Sequence, residues 1–281
     1  MAIFTNQATL IYNGQSTSSN VTTGELLDAV TMTKTAVGAT YGCGNRVTYV
    51  VSIVNTGAAI TDATLTDDLG EYTVDGTDVT PLDYVEGTLL FYRNGALATA
   101  PDVNAGPPLT LTGIDIPAGG NVLIIYQTET NQYAPQTAGS TINNTATLTA
   151  QFLRLTDGAT VTAGECVRLT IAKAINPPVV NDNGTLTYTF IIQNAGNTPV
   201  VATDDVIVTD TFNPILNPIA VTYNGEEWTE GTQYNYNETT GVFTTNEGYI
   251  TVPAATYTRD EVTGAISVTP GVAVITVTGT V

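Results

Sequence analysis

The sequence predicts an all-β protein built from two tandem β-sandwiches. Threonine, valine, isoleucine and tyrosine recur in short alternating runs that glycine, asparagine, aspartate and proline interrupt, which is the pattern of half-buried strands joined by turns. The clearest strands are Arg46–Val54 and Thr185–Gln193, followed by Val122–Thr128 and Val272–Thr278. Short strands in this arrangement are typical of immunoglobulin-like (Ig-like) sandwiches.

Composition limits the classes of function. The chain of 281 residues has the length of two domains, carries a net charge of −19 and contains no histidine. Without an imidazole, histidine-dependent catalysis and histidine metal sites are excluded. The strong acidity argues against binding to nucleic acid or to anionic membranes. No apolar run reaches the length of about 18 residues that a membrane span needs.

An internal repeat relates the two halves of the chain. Thr48–Gly57 matches Thr187–Gly196, and Lys34 matches Lys173 at the same separation. Repeats of this kind indicate two copies of one structural unit. The predicted division is an N-terminal donor strand and linker at 1–28, domain 1 at 29–152, a linker at 153–167 and domain 2 at 168–281.

Domain 2 lacks the last strand that domain 1 has. Ser140–Phe152 forms a further strand of domain 1, whereas domain 2 ends at Val281 without a counterpart. The start of the chain supplies the missing pattern, because Ile3–Leu10 resembles Thr141–Leu148. A sandwich without this strand exposes its core and unpaired backbone groups. We therefore predict that the N-terminal strand of one subunit completes domain 2 of the next by strand addition.

The predicted donor strand consists of Ile3, Phe4, Asn6, Ala8, Leu10 and Tyr12. Alternation places Ile3 on one face and the other five residues on the opposite face. Because the contact is head-to-tail, repeated donation produces an open filament. The alternative is that residues 1–12 fold back onto their own domain 2 or onto domain 1. Closure onto their own domain 2 would require the linker at 13–28 to span both domains.

Two lysines, Lys34 and Lys173, share a strand face with apolar neighbours and are predicted to point inward, where an unpaired lysine is rare. Inward asparagines and aspartates accompany them. A buried amine beside an amide and a carboxyl group can form an isopeptide bond, because burial favours the neutral form of each group. The predicted sets are Lys34, Asn144 and Asp67 within domain 1, and Lys173, Asn6 and Asp210 across two subunits. The alternatives are buried Lys–Asp pairs with hydrogen-bonding asparagines, or lysines in solvent at strand ends.

The two cysteines leave three interpretations open. Cys43 lies in a turn between the first two strands of domain 1, and Cys166 lies where domain 2 begins. A disulfide that joins the two domains, an intermolecular disulfide and free thiols are all compatible with these positions, and two cysteines do not define the redox compartment.

Other candidate sites are weak. The pairs Asp67-Asp68 and Asp204-Asp205 lack a spaced ligand loop, so no metal site and no cofactor are predicted. An aromatic group could form a carbohydrate-binding face, although an ordinary strand surface fits the same pattern. This group comprises Trp228, Tyr234, Tyr236 and Tyr249.

Several short motifs resemble one family of domains. In chain order they are Lys34-Thr35-Ala36, Val47-Thr48-Tyr49, Val54-Asn55-Thr56-Gly57, Thr66-Asp67-Asp68-Leu69, Ile116-Pro117-Ala118-Gly119 and Ile142–Leu148. This pattern resembles the "conserved repeat" Ig-like domain of bacterial and archaeal surface proteins, over all of domain 1 and less closely over domain 2. The opening Ile3–Leu10, with the two-domain size and the acidity, is similar to the subunits of clostridial spore appendages. That resemblance implies synthesis in the mother cell and display on the spore surface.

Together these features predict a non-enzymatic subunit of an extracellular fibre on a spore or cell surface, with a second copy of itself as its partner and a surface anchoring protein as a further one. Met1–Gln7 lacks the charged and apolar regions of a secretory signal, so the protein is expected to be made without a visible signal peptide. The alternative is a monomeric surface adhesin or carbohydrate-binding module.

Overall fold

A computed structural model of the chain describes residues 2–26, 29–42, 44, 46–151 and 153–281, without the side chains of residues 2, 3, 25 and 26. The fold is all-β, as the alternating pattern predicts. Within these ranges the regular elements are 28 strands and one short 3-10 turn at Ala202–Asp204. No helix in the described part of the chain is long and apolar enough to cross a membrane.

The N-terminal segment forms an isolated β-hairpin. Its four short strands are β1 (Ala2–Asn6), β2 (Thr9–Tyr12), β3 (Gln15–Ser18) and β4 (Thr22–Leu26). Strand β1 pairs with β4, and β2 pairs with β3, both antiparallel. The turn Asn13-Gly14 has positive φ at both residues, which an Asn-Gly turn between strands favours. Residues 15–18 and 22–26 therefore form strands within the segment 13–28, which the sequence pattern predicts to be a linker.

Domain 1 contains fourteen strands. They are β5 (Val30–Val37), β6 (Thr40–Tyr41), β7 (Val47–Asn55), β8 (Ile60–Asp67), β9 (Tyr72–Val74), β10 (Thr77–Val79), β11 (Leu82–Tyr84), β12 (Leu90–Arg93), β13 (Ala96–Leu97), β14 (Asp102–Asn104), β15 (Leu109–Ile116), β16 (Asn121–Thr130), β17 (Thr141–Ala150) and β18 (Leu153–Ala163). Strand β18 occupies most of the predicted linker at 153–167, so domain 1 continues to Ala163.

Two sheets enclose the core of domain 1. One has the order β13-β12-β16-β7-β5, with β11 also paired to β16, and the other has the order β14-β15-β8-β17-β18-β6. Alternate residues of each long strand are buried between the sheets; Tyr49, Val51 and Ile53 of β7 are fully enclosed. This alternation, which has a period of two residues, determines which side chains meet in the interior.

Domain 2 contains ten strands. They are β19 (Leu169–Asn176), β20 (Thr185–Asn194), β21 (Thr209–Thr211), β22 (Ile219–Tyr223), β23 (Glu226–Trp228), β24 (Tyr234–Asn237), β25 (Val242–Thr245), β26 (Thr256–Arg259), β27 (Ile266–Thr269) and β28 (Gly271–Thr280). Its larger sheet has the order β23-β22-β28-β20-β19. This order repeats β13-β12-β16-β7-β5 of domain 1. The registers agree as well, because Lys34 pairs with Val51 and Lys173 pairs with Phe190, the matching residue of the repeat.

The second sheet of domain 2 is incomplete. It has the order β21-β25-β24, and β26 pairs only with β27. Strand β21 carries Asp210 at the position that Asp67 occupies on β8. In domain 1, β8 is followed in its sheet by β17 and β18, whereas among the described residues of domain 2 no strand pairs with the matching side of β21.

The two sandwiches are stacked end to end in the same orientation. Asn197, in the loop after β20, donates hydrogen bonds to the carbonyl oxygens of Gln136 and Gly164. The hairpin of β26 and β27 reaches domain 1 through the Arg259 guanidinium, which donates to the hydroxyl of Tyr72 at 2.6 Å. Thus the pole of domain 2 at which β19 begins faces the pole of domain 1 at which β5 ends.

Candidate polymerisation and cross-link sites

A buried ion pair lies between the sheets of domain 1. The Nζ atom of Lys34 on β5 lies 2.5 Å from the Oδ2 atom of Asp67 on β8, and the two side chains are 0% and 1% exposed. The ammonium group also lies 4.8 Å from the ring centroid of Tyr49. Removal from water lowers the pKa of Lys34, although the negative charge of Asp67 acts in the opposite direction. The site therefore favours a neutral amine more than solvent does.

Asp67 is held by further donors. The hydroxyl of Tyr126 donates to Oδ2, and the backbone N–H of Leu69 donates to Oδ1 at 3.0 Å. Burial raises the pKa of Tyr126 well above its usual value, and the charge of Asp67 adds to this effect. Sequence analysis did not identify Tyr126 as part of the site. Its alternation with the apolar residues Val122 and Ile124 is the signal that places it inward.

Asn144 on β17 belongs to the same cluster. Ala146 pairs with Asp67 in the ladder of β17 and β8, and Asn144 is the next inward residue along β17. The side chain is fully buried, and neither its Oδ1 nor its Nδ2 atom makes a hydrogen bond of good geometry, although the hydroxyls of Tyr49 and Tyr126 lie near enough for the amide to oppose the rise of their pKa values. An unsatisfied buried amide costs about 1–3 kcal/mol, so this geometry calls for an explanation.

The equivalent pair in domain 2 is open to solvent. Lys173 on β19 forms an ion pair with Asp210, but its side chain is 39% exposed. Three aromatic rings surround the ammonium group. The distance from Nζ of Lys173 to the ring centroid is 4.2 Å for Tyr188, 5.4 Å for Phe212 and 5.5 Å for Phe190. The rings and the carboxylate hold the amine in place while one side of the site remains uncovered.

The difference between the two pairs follows from the strand that carries each lysine. On β5, Lys34 and its inward neighbours are buried, whereas every residue of β19 is exposed. Strand β18 covers β5, and Asp157 on β18 accepts a hydrogen bond from the backbone N–H of Lys34 at 2.7 Å. The part of domain 2 that the structure describes has no counterpart of β17 or β18. Its Lys173–Asp210 pair therefore lacks the two strands that cover the Lys34–Asp67 pair in domain 1.

The predicted donor residues are exposed. Phe4, Leu10 and Tyr12 are 57%, 67% and 74% accessible, and Asn6 and Ala8 are exposed as well. The side chain of Ile3 lies outside the described residues. Within one chain, Asn6 lies in the hairpin, where its carbonyl accepts a hydrogen bond from Thr22, and not beside Lys173. Any set of Lys173, Asn6 and Asp210 therefore requires a second copy or a large movement of the hairpin.

The remaining candidates are the two cysteines and the aspartate pairs. Cys166 is disulfide-bonded, which removes the interpretation that it is a free thiol, and Cys43 lies outside the described residues. Asp68 accepts bonds from the backbone N–H groups of Gly70 and Thr145, so it is occupied as a turn cap. Among the described residues no group of three or more carboxylates or thiols could hold a metal ion.

The aromatic group does not form one exposed platform. Tyr234 and Tyr236 are buried, and the hydroxyl of Tyr236 donates to the carbonyl of Leu216 at 2.8 Å. Trp228 stacks on Tyr223 with ring centroids 5.0 Å apart, and Tyr249 is the most exposed member of the group. These side chains are mainly core and sheet-surface residues.

Comparison with known proteins gives distant likenesses. No protein-family model matches the chain, and no curated protein matches it. Among solved structures, the major pilin subunit BcpA of Bacillus cereus has 13% identity and a TM-score of 0.38, over 94% of this chain and 70% of that one. The major pilin SpaD of Corynebacterium diphtheriae has 11% identity and a TM-score of 0.37, over 85% and 58%. The C-terminal domain of BspA from Streptococcus agalactiae has 12% identity and a TM-score of 0.30, over 89% and 91%. At these values the function has to be argued from the residues of this chain.

Proposed function

We propose that this chain is a structural subunit of an extracellular fibre on a spore or cell surface, and that it polymerises head-to-tail by donating its N-terminal strand to domain 2 of a neighbouring copy. One observation carries the proposal: the chain contains an exposed strand with the pattern of β17 and a sandwich in which no described strand occupies the place of β17. The proposal includes no catalytic activity and no cofactor.

The energetic reason lies in the donor face. Phe4, Leu10 and Tyr12 are apolar side chains in solvent, and burial of such a side chain contributes about 1.5–3 kcal/mol. Backbone hydrogen bonds to the free side of β21 add about 1 kcal/mol each. Donation also removes an unpaired sheet edge, which proteins otherwise have to protect from uncontrolled pairing.

Within domain 1, we infer that Lys34 and Asn144 form an isopeptide bond. The neutral amine of Lys34 attacks the side-chain carbonyl carbon of Asn144, a new C–N bond forms, and the bond to Nδ2 breaks. The proton lost by the amine passes through the carboxyl group of Asp67 to the leaving nitrogen, which departs as ammonia. The buried, unsatisfied amide of Asn144 and the lowered pKa of Lys34 support this step. The alternative is a buried ion pair beside an unsatisfied amide.

Between subunits, the same reasoning applies to Lys173, Asp210 and Asn6 of the donated strand. Asn6 would take the place that Asn144 has in domain 1, because Phe4, Asn6, Ala8 and Leu10 match the inward residues of β17. This second bond would join subunits covalently. A disulfide between Cys43 and Cys166 would further join the two domains, which suits a fibre that bears tension.

The proposal is tested with two matched variants of the full chain, Leu10→Asp and Ile11→Asp. Both residues are exposed apolar neighbours on β2, but only Leu10 lies on the donor face. We expect wild type and Ile11→Asp to form filaments visible by electron microscopy, and Leu10→Asp to remain monomeric.

Boiling the filaments with reductant before a denaturing gel tests the intersubunit bond. A persistent ladder that Asn6→Ala abolishes supports it. Monodisperse monomers of wild-type protein at every concentration would contradict the fibre and favour a monomeric surface adhesin.

A further inference from the structure

The N-terminal segment has the geometry of a complete two-strand unit of domain 1. In the hairpin of β17 and β18, Leu148 pairs with Leu155; in the N-terminal hairpin, Leu10 pairs with Thr17. The turns also agree, because Asn13 and Gln151 both have positive φ. From the turn to Leu10, the pairing of β2 with β3 therefore repeats that of β17 with β18.

Further along, the register is shifted by one residue relative to that of β17 and β18, but the side chains that meet conserve the volume on the inner face. In domain 1, Ile142 pairs with Val161, whereas at the matching place Phe4 pairs with Gly24. The ring of Phe4 lies over Gly24, so that the Cβ atom of any other residue at position 24 would overlap its Cζ atom. One large and one minimal side chain replace two of intermediate size, which preserves the volume that a facing sheet would meet.

Domain 1 also shows what the second strand of such a hairpin does. Strand β17 pairs with β8, while β18 lies over β5 and Asp157 bonds to the backbone of Lys34. Among the described residues, domain 2 has neither partner, and its β19 is exposed along its whole length. A single donated strand would fill the place of β17 but would leave β19 and Lys173 uncovered.

We propose that the donated element is the whole hairpin Ala2–Leu26 of a second copy, and that its β3 and β4 strands cover β19 and close the Lys173–Asp210 pair from water. This inference rests on the proposed function and specifies its partner surface. On the inner face of the hairpin, Thr17 lies opposite Leu10 and Thr22 lies opposite Asn6. The small polar side chains of Thr17 and Thr22 are compatible with packing over the Lys173–Asp210 pair.

Chain connectivity identifies the occupant as a second copy. In domain 1, β18 ends at the pole where domain 2 begins, so by the same geometry β4 would end at the far pole of domain 2. Strand β5, which follows β4, begins at the opposite far pole, on domain 1. The strands β5 and β19 have 8 residues each, and two such lengths exceed about 50 Å. The connection from Leu26 to Val30 spans at most about 15 Å.

In this polymer the same arrangement of sandwich and hairpin repeats along the fibre. Each sandwich is completed by the hairpin that leads into the next sandwich, whether the next sandwich lies in the same chain or in the following subunit. In domain 1 that hairpin is β17 and β18, which lead into β19. In domain 2 it is the hairpin β1–β4 of the next copy, which leads into that copy's β5.

The test uses the full chain and its only two lysines, Lys34 and Lys173. Filaments and monomers are treated with an amine-acetylating reagent and analysed by peptide mass spectrometry. We expect Lys34 to escape labelling in both states, and Lys173 to be labelled in the monomer and at least tenfold less in the filament, whether it remains an amine or has become an amide.

The decisive variant is Thr17→Pro with Thr23→Pro, which disrupts β3 and β4 but leaves β1 and β2 unchanged; Thr17→Ala with Thr23→Ala is its control. Hairpin donation is supported if the proline variant forms no filaments, or forms filaments in which Lys173 is labelled, while the alanine variant behaves like wild type. Filaments of the proline variant with protected Lys173 overturn it and leave single-strand donation standing. Absence of filaments in wild type contradicts the proposed function itself. Urea unfolding of each sample verifies that domain 1 is folded, since Lys34 cannot be labelled in any chain in which it has become an amide.

Discussion

Lys34 and Lys173 occupy the same position of the repeat, and each is paired with an aspartate, but the side chain of Lys34 is fully buried while that of Lys173 is 39% exposed. The strands that carry them pair with their neighbours in the same register. The difference lies in what covers them, because β18 lies over β5 and no described strand lies over β19. Domain 1 thus provides a template for the form that we propose domain 2 takes in the fibre.

Removal of one aspartate distinguishes the two sites energetically. Asp67→Ala leaves a buried amine and the hydroxyl of Tyr126 without their partner, so we expect the free energy of unfolding to fall by about 3–5 kcal/mol. Asp210→Ala affects a solvent-exposed pair, and we expect a loss of at most about 1 kcal/mol in the monomer. Urea unfolding of monomeric protein measures both. Equal losses would contradict the difference in burial.

An intact-mass measurement tests the cross-link of domain 1. We expect folded wild-type protein to be lighter than its sequence by one ammonia for the Lys34–Asn144 bond, and Asp67→Ala to have the full sequence mass. Asp68→Ala is the matched control, because Asp68 caps a turn and acts on Lys34 through its charge without a hydrogen bond to it. A wild-type protein of full mass would favour the buried ion pair.

The packing of Phe4 over Gly24 predicts a paired effect. Gly24→Val places side-chain atoms where the ring of Phe4 lies, so we expect a rise of at least tenfold in the protein concentration that filament formation requires. Phe4→Ile combined with Gly24→Val reproduces the Ile142–Val161 pair of domain 1 and is expected to restore assembly. Light scattering against protein concentration measures the threshold. An unaffected Gly24→Val variant would show that β4 does not contribute to assembly.

Stability should fall at high pH through Tyr41. Burial raises the pKa of Tyr41 to about 12 from the usual value near 10, so the folded state holds this proton more tightly than the unfolded chain. The resulting stability is fully present below pH about 10 and is lost as the pH rises through about 12. Tyr41→Phe should therefore show a shallower alkaline decline in its free energy of unfolding. The same slope in both proteins would contradict this assignment.

The disulfide of Cys166 gives a redox prediction. If Cys43 is its partner, the bond closes a long loop, and its loss should cost about 4–5 kcal/mol in the chain-entropy model. We expect Cys166→Ser and Cys43→Ser to lower the thermal midpoint equally, and unreduced wild-type protein to migrate as a monomer on a denaturing gel. Dimers that reductant removes would identify an intermolecular bond.

Much of the architecture follows from the sequence because strand alternation is a local property. A period of two residues places Lys34, Asp67 and Asn144 in the interior of domain 1, and the internal repeat places Lys173 and Asp210 at the matching positions. The resemblance between Ile3–Leu10 and Thr141–Leu148 likewise needs no coordinates. These features predict the sandwich pair, the open side of domain 2 and the inward face of the proposed donor strand.

The tertiary structure decided what alternation cannot show. Residues 15–26 are rich in serine, threonine and glycine and have no apolar period, so their pairing with β1 and β2 depends on a turn and on ladder hydrogen bonds. Tyr126 joins the Lys34–Asp67 pair only because two sheets meet there. The burial of β5 and the exposure of β19 depend on distant segments of the chain, since a strand's own sequence describes which face points inward but not which other strand covers it.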